Sequence, residues 1–193
     1  ARATCTFVAA VSEPAAATAL LARLRTASSD SVTSFEYMHR DCIDLVLEHI
    51  EAAREPFNTR HEHYALVELT SGTSSEALTE LVEAALADSF KSGETLDGVI
   101  ASSLEQAKGL WRLRETIPEA QKHAGGCIKH DVSVQVSRVP EFLERATVLA
   151  RETLPGVRII PFGHMGDGNI HFNLTQPHEA SAQSFVDLTG TIT

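Results

Sequence analysis

The chain has 193 residues, of which 43% are hydrophobic and 22% are charged, a composition typical of one folded domain rather than of a disordered or fibrous protein. It carries 16 basic and 26 acidic residues, and its formal net charge of -10 without any basic run argues against nucleic-acid binding. No apolar run approaches the roughly 20 residues that a membrane-spanning helix needs.

Strands and helices alternate in the first part of the chain. Apolar runs predict four strands, at 5–11, 31–37, 64–69 and 95–101. Helical periodicity predicts four helices, at 14–27, 40–50, 77–86 and about 103–122. Pro14 suits the first turn of a helix. The segment 51–61 contains Pro56, Asn58 and several charges, so we predict a loop there.

The second part of the chain continues this alternation. The residue pattern predicts a strand at 127–136 and a helix from Pro140 that ends at Pro155-Gly156. It also predicts strands at 157–163 and 169–175 and a weak helix at 178–188. No glycine-rich nucleotide fingerprint follows the first strand. Because the two halves are coarsely similar, we predict an α+β fold in which helices cover a sheet built from two ferredoxin-like units.

Three cysteines, Cys5, Cys42 and Cys127, are odd in number, and no pair has the spacing of a zinc site. We interpret them as buried or half-buried free thiols in a reducing compartment, and we expect a cytoplasmic protein. A catalytic cysteine is the alternative interpretation.

Histidines flank the glycine-rich turn between the last two predicted strands. His164 ends one strand, His171 lies early in the next, and Asp167-Gly168 fits a tight reversal. A hairpin would bring both imidazoles together, with Asn173 on the same side. Two imidazoles suit Zn²⁺ or another borderline divalent metal, although catalytic zinc commonly takes three protein ligands. Part of a metal site and two ordinary strand histidines both remain open.

Arg114 falls near the middle of an apolar helical stripe. Leu104, Ala107, Leu110 and Trp111 define that stripe at about 100° per residue. A buried guanidinium needs a partner, because an unpaired buried charge is costly. A structural ion pair with a nearby glutamate and a bidentate clamp on a carboxylate ligand both fit this position.

The predicted strand at 127–136 has a polar and an apolar face. Cys127, Lys129 and Asp131 occupy the polar face, whereas valines and an isoleucine dominate the other. The polar face either borders a cleft or is a solvated surface on which Lys129 and Asp131 compensate each other. His130 falls among the apolar positions, and we predict a satisfied core histidine.

Four segments resemble one protein family. They are FEYM at 35–38, WRLRE at 111–115, KHDVSV at 129–134 and PFGHMGDGNIHFN at 161–173. In this order they resemble the C-terminal cap domain of FAD-linked oxidases of the vanillyl-alcohol-oxidase type, whose members oxidise D-lactate, glycolate or D-2-hydroxyglutarate. The resemblance covers nearly the whole chain, and the last segment is its most specific motif.

The resemblance implies a fold, a cofactor and a set of site residues. The implied fold is an antiparallel sheet with helices, related to a ferredoxin-like duplication, and the implied cofactors are FAD and a divalent metal, for which zinc is expected. By matching motif positions, His164 and His171 are the expected metal ligands, and Arg114, Lys129 and Asn173 are the expected substrate contacts. Pro118 stands where 2-hydroxyglutarate members have a threonine, whereas FEYM and WRLRE lean towards that branch.

The resemblance also implies an enzyme larger than this chain. We expect residues 1–193 to form a partial cap domain, with the FAD-binding domain before residue 1. An AEHG segment, with a third metal ligand and a catalytic histidine, is expected after residue 193. We therefore expect no catalytic residue within the chain, and an isolated chain that does not turn over substrate.

The function implied for the intact protein is oxidation of a small 2-hydroxy acid to a 2-oxo acid, with metal assistance and hydride transfer to FAD. The resemblance indicates no electron acceptor and leaves a homodimer open. A non-catalytic metal- or carboxylate-binding domain is the alternative function, and a purely structural interaction domain is a third.

Overall fold

A computed structural model describes residues 2–176 and Phe185 of the chain. Its elements up to residue 121 are β1 (Ala3–Val11), α1 (Pro14–Ala27), β2 (Val32–His39), α2 (Arg40–His49), β3 (His63–Ser71), α3 (Ser75–Lys91), β4 (Thr95–Ile100), α4 (Leu104–Glu115) and α5 (Ile117–Gln121). The elements that follow are β5 (Cys127–Ile128), β6 (Asp131–Ser133), a 3₁₀ turn (Val136–Arg138), α6 (Val139–Thr153), β7 (Arg158–His164) and β8 (Asn169–Thr175).

The described strands form one antiparallel sheet in the order β4-β1-β3-β2-β7-β8-β5, with β6 also paired to β8. The order β4-β1-β3-β2 is that of a ferredoxin-like unit, to which α2 is added between β2 and β3. In the second half β5, α6, β7 and β8 repeat the first part of that unit, since β5-β8-β7 corresponds to β1-β3-β2. The two units meet through β2 and β7. The predicted α+β fold is therefore confirmed.

Alternation of side chains along the strands divides the interior into two cores, one on each face of the sheet. The first core contains Phe7 and Phe35 and is covered by α1, α3 and α6. The second core contains Val8, Met38 and Phe162 and is covered by α2, α4 and α5. The candidate site residues of β2, β7 and β8 lie on the second face, beside α4 and α5.

Local sequence signals account for the helix starts. Pro14 opens α1, where a missing backbone N–H costs nothing. The hydroxyls of Ser74 and Ser103 each accept a hydrogen bond from the backbone amide three residues later, at 3.2 Å, and so cap α3 and α4.

Two predicted elements are each broken in the structure. The strand expected at 127–136 is two short strands, because the chain leaves the ladder at Lys129 and His130 and turns into a 3₁₀ helix from Val136. The helix expected at 103–122 ends at Glu115 and restarts before Pro118, whose ring disfavours a continuous helix. The weak helix predicted at 178–188 lies outside the described residues except for Phe185.

Candidate functional site

The β7–β8 hairpin carries the two histidines on one face of the sheet. His164 pairs with Asn169 and Phe162 pairs with His171, so the two imidazoles are diagonal neighbours across the strand pair. Buried Met165 anchors the connecting turn in the first core. The hairpin predicted from the sequence is thus present, and its register brings His164 and His171 to the same surface.

Each imidazole faces a carboxylate from a neighbouring strand. Glu36 lies opposite His164 in the β2–β7 register, and Asp131 lies opposite His171 in the β6–β8 register. The Nδ1 atoms of both histidines contact these carboxylates. Because a carboxylate only accepts, each Nδ1 is a protonated nitrogen, and in the neutral imidazole each Nε2 then presents its lone pair. No hydrogen bond from a described residue occupies either Nε2 atom.

Arg114 reaches the same place from α4. The residue is 9% exposed, and its Nε donates to Glu36 Oε2 at 2.6 Å. The guanidinium carbon lies 4.7 Å from the centre of the Phe162 ring, and that ring lies 4.8 Å from the ring of His171. The expected ion pair with a glutamate is therefore present. It uses Nε alone, so within the described part of the chain both Nη atoms remain available to a ligand.

Asn173 and Lys129 lie farther along the same region. Asn173 is 4% exposed and donates through Nδ2 to Gln121 Oε1 at 3.0 Å, whereas its Oδ1 is buried without a partner among residues 2–176. Lys129 is exposed between β5 and β6 and forms no ion pair with the described residues. Of the two interpretations of this strand face, the structure does not support an ion pair between Lys129 and Asp131, because Asp131 contacts His171 instead.

His130 is buried, as predicted, but only half of its hydrogen-bonding capacity is used. Its Nδ1 lies 3.1 Å from the carbonyl oxygen of Phe172. Because a carbonyl oxygen only accepts, Nδ1 is the donor of this hydrogen bond. Its Nε2 is buried and has no partner within the described residues. The prediction of a fully satisfied core histidine is therefore wrong for that atom.

The three cysteines are free thiols, as predicted. Burial raises the pKa of the thiols of Cys5, Cys42 and Cys127 above its ordinary value, even though Lys129 lowers the pKa of Cys127. A reactive cysteine needs a thiolate at neutral pH. The raised pKa values argue against the alternative of a catalytic cysteine.

Sequence reasoning missed Glu36, Asp131 and Gln121 as members of the site. Glu36 was available from the pattern, because it is the acidic residue of an otherwise apolar strand segment and Arg114 required a buried partner. Asp131 and Gln121 carry no such signal, since an exposed aspartate and a helical glutamine are ordinary surface residues. Only strand register and helix placement bring them to His171 and Asn173.

The donor set fits part of a metal site. Imidazoles whose Nδ1–H is held by a carboxylate are typical of zinc ligands, because the contact fixes the tautomer and raises the basicity of Nε2. Among residues 2–176 and Phe185, no group of three or more histidine, cysteine, aspartate or glutamate side chains could hold a metal ion. A metal held by His164 and His171 would therefore need further ligands from groups outside the described residues.

A cavity of about 210 Å³ opens at the end of the site nearest the hairpin turn. Its lining includes Glu36, His164, Arg25 and Asp167. Arg25 donates to the carbonyl oxygen of Gly166 at 2.9 Å.

Within the described residues, no helix has the length and apolar character needed to cross a membrane.

Comparison with known proteins identifies the family to which the chain belongs. Residues 1–190 match the family described as FAD linked oxidases, C-terminal domain. A D-2-hydroxyglutarate dehydrogenase from Xanthomonas citri pv. viticola is 39% identical over 145 residues, which cover 74% of this chain and 30% of that relative. The mitochondrial D-2-hydroxyglutarate dehydrogenase of Arabidopsis thaliana is 32% identical over 156 residues, covering 81% of this chain and 27% of the relative.

The chain thus spans about a third or less of the length of these relatives. Among solved structures, an alkyldihydroxyacetonephosphate synthase is similar over 100% of this chain and 38% of its own, with a TM-score of 0.57 and 11% sequence identity. At that identity the likeness concerns the fold alone.

Proposed function

The chain belongs to the family of C-terminal domains of FAD-linked oxidases, and from that premise we propose that it is the substrate-binding cap of a flavin-dependent D-2-hydroxyacid dehydrogenase. D-2-hydroxyglutarate is the proposed substrate, because it is the substrate in the names of the relatives from Xanthomonas and Arabidopsis. Lactate and glycolate, which the resemblance also left open, have no such support. FAD is proposed to bind mainly to a part of the enzyme outside this chain.

One observation carries the proposal: two carboxylate-held imidazoles share a face with a buried arginine whose Nη atoms have no partner among the described residues. A 2-hydroxy acid presents a hydroxyl beside a carboxylate, so it matches a metal and a guanidinium set side by side. The dicarboxylate 2-hydroxyglutarate has a second carboxylate, for which the exposed ammonium of Lys129 is the proposed partner.

In the proposed mechanism, the residues of this chain bind and orient the substrate. Arg114 holds carboxylate oxygens through its Nη atoms, while Glu36 fixes the guanidinium through Nε. The Nε2 atoms of His164 and His171 would hold a divalent metal, with zinc as the proposed ion, and Asn173 would orient the substrate. When bound, the metal supplies acidification of the 2-hydroxyl and the flavin supplies acceptance of the C2 hydride. We assign no catalytic base to the described residues.

Pro118 is the position where this chain departs from the pattern of 2-hydroxyglutarate members. It lies at the second residue of α5, one turn beyond Arg114, and its side chain donates no hydrogen bond. We therefore assign recognition of the carboxylates to Arg114 and Lys129 alone.

The experiment that tests the function is a substrate panel on the full-length protein. Purified protein would be assayed for flavin content and for reduction of a dye acceptor with D-2-hydroxyglutarate, L-2-hydroxyglutarate, D-lactate and glycolate. We expect flavin and a preference for D-2-hydroxyglutarate. Absence of flavin and of turnover, together with retained zinc or carboxylate binding, would favour the alternative of a non-catalytic binding domain.

The metal is tested by replacing His171 with alanine. Because catalytic zinc sites commonly need three protein ligands, we expect His171→Ala to lose the metal on dialysis and to lose most activity. Metal content measured by mass spectrometry, with His49→Ala at the end of α2 as the control histidine, decides this point. Unchanged metal content and rate in His171→Ala would contradict the assignment.

The cytoplasmic location expected from the free thiols also stays a proposal, since the Arabidopsis relative is named mitochondrial. Fractionation of cells that express the tagged full-length protein would decide between the two compartments.

A further inference from the structure

Glu36 serves two groups of the proposed site with one carboxylate. Its Oε1 contacts His164 Nδ1, and its Oε2 accepts from Arg114 Nε at 2.6 Å. The side chain is 2% exposed, so water does not replace either contact. A metal-facing imidazole and a substrate-facing guanidinium are therefore held by the same buried group.

Asp131 provides a comparison within the same hairpin. It contacts His171 Nδ1 as Glu36 contacts His164 Nδ1, but its side chain is 74% exposed and it holds no guanidinium. The two carboxylates thus have the same relation to an imidazole and differ in their relation to Arg114.

We propose that Glu36 is a positioning residue that couples metal binding through His164 to carboxylate binding through Arg114. This inference rests on the proposed function. The physical reason is that both partners of Glu36 are donors, so both oxygens must accept. When both contacts are made, His164 Nε2 carries a lone pair for the metal and the Arg114 fork is fixed for a carboxylate.

Glu36→Gln tests this with little change of shape. A carboxamide has one acceptor oxygen and one donor nitrogen, so it cannot accept from His164 and Arg114 together. If its nitrogen faces His164, the proton moves to Nε2 and blocks the metal. If its nitrogen faces Arg114, two donors oppose each other. In either orientation the guanidinium loses the charge that held it.

The measurements use the full-length protein with two probes. Zinc affinity is measured by competition with a chelating dye. Affinity for 2-oxoglutarate, the product of the proposed reaction, is measured by calorimetry at saturating zinc. For Glu36→Gln we expect zinc binding weakened by about 10- to 100-fold and 2-oxoglutarate binding weakened by about tenfold. For Asp131→Asn we expect weaker zinc binding and an unchanged affinity for 2-oxoglutarate.

The double variant Glu36→Gln/Arg114→Gln guards against misfolding, because it leaves no unpaired buried cation. We expect it to bind zinc as weakly as Glu36→Gln alone. The coupling is overturned if Glu36→Gln binds zinc like the unmodified protein, or if it loses zinc affinity alone, as Asp131→Asn does. Because both probes report binding, a protein that oxidises no 2-hydroxy acid would contradict the proposed function without obscuring either result.

Discussion

At the scale of single residues, the site depends on one buried ion pair. Arg114 and Glu36 are almost inaccessible to solvent, and removing one partner of such a pair leaves an uncompensated charge that costs about 3–5 kcal/mol. The pair therefore explains why a guanidinium is tolerated in the apolar stripe of α4. It also leaves the Nη atoms of Arg114 without a partner among the described residues, next to Phe162 of β7, and this geometry makes the residue a candidate ligand contact.

We predict that Arg114→Lys weakens substrate binding while preserving the charge. A lysine ammonium is a single point, so it can approach Glu36 or a substrate carboxylate but cannot match the planar fork that serves both. We expect KM for D-2-hydroxyglutarate to rise by about tenfold or more, with a smaller change in kcat, in steady-state assays of the full-length protein.

Arg112→Lys is the matched control, since Arg112 lies on the same helix and its side chain, within residues 2–176, donates only to the carbonyl oxygen of Ala52, at 3.3 Å. Equal KM values in the two lysine variants would contradict a role of Arg114 in substrate binding.

At the scale of elements, the β7–β8 hairpin is in close backbone contact with the segment after β6. The amide of Val134 donates to the carbonyl oxygen of Gly168 at 3.0 Å, and Gly168 has a φ of 80°. A Cβ at Gly168 would lie 1.9 Å from the carbonyl oxygen of Val134. The turn therefore requires glycine for its backbone conformation and for this close approach.

We predict that Gly168→Ala destabilises the hairpin by at least about 2 kcal/mol, because it adds a strained backbone conformation to a steric clash. The shift of the segment after β6 should also displace Asp131 from His171 and reduce metal retention. Chemical unfolding and metal content of the full-length protein measure the two effects.

Gly166→Ala provides the control within the same turn. Its φ is not positive, and the nearest atom to an added Cβ is Phe35 Cβ at 3.5 Å, an ordinary contact. A loss of stability in Gly166→Ala as large as that in Gly168→Ala would contradict this account of the turn.

At the scale of the whole molecule, two cores on opposite faces of one sheet depend on neutral polar groups as well as on apolar ones. The hydroxyl of Tyr37, in the first core, forms a hydrogen bond with His63 Nδ1 at 2.7 Å. Burial, and to a lesser extent the nearby His39, lower the pKa of His63 from 6.5 to about 4. The folded protein therefore keeps this imidazole neutral under conditions in which an unfolded chain would protonate it.

We predict that folding stability falls as the pH is lowered from 6.5 to about 4. In this window the unfolded chain binds a proton at His63 that the folded chain does not, so protonation favours unfolding. The stabilisation is complete above pH 6.5. Its loss at the acid end amounts to about 2 kcal/mol after allowance for the partial exposure of the ring.

Urea unfolding of the full-length protein at several pH values measures this slope. His63→Gln is the comparison, because its amide oxygen can accept from Tyr37 and does not titrate. We expect a shallower dependence on pH in that variant. Parallel profiles for the two proteins would exclude His63 as the source.

The sequence by itself determined the alternation of elements, the hairpin between His164 and His171, and the burial of Arg114. These features depend on local periodicity and turn chemistry, which a chain carries without its tertiary contacts. The helix break before Pro118 was also open to sequence reasoning, although the periodicity of the segment masked it.

Only the tertiary structure decided how the polar groups are paired. Glu36 is separated from Arg114 by 78 residues and from His164 by 128, and these separations carry no periodic signal. Sheet order and register alone bring β2 beside β7 and α4 above them. The same holds for Asp131: the sequence left its partner open, and strand pairing places it against His171. Pairing across a sheet is a property of the assembled fold. For this reason only the structure shows that Glu36 and Asp131 contact the histidines and that Glu36 also contacts Arg114.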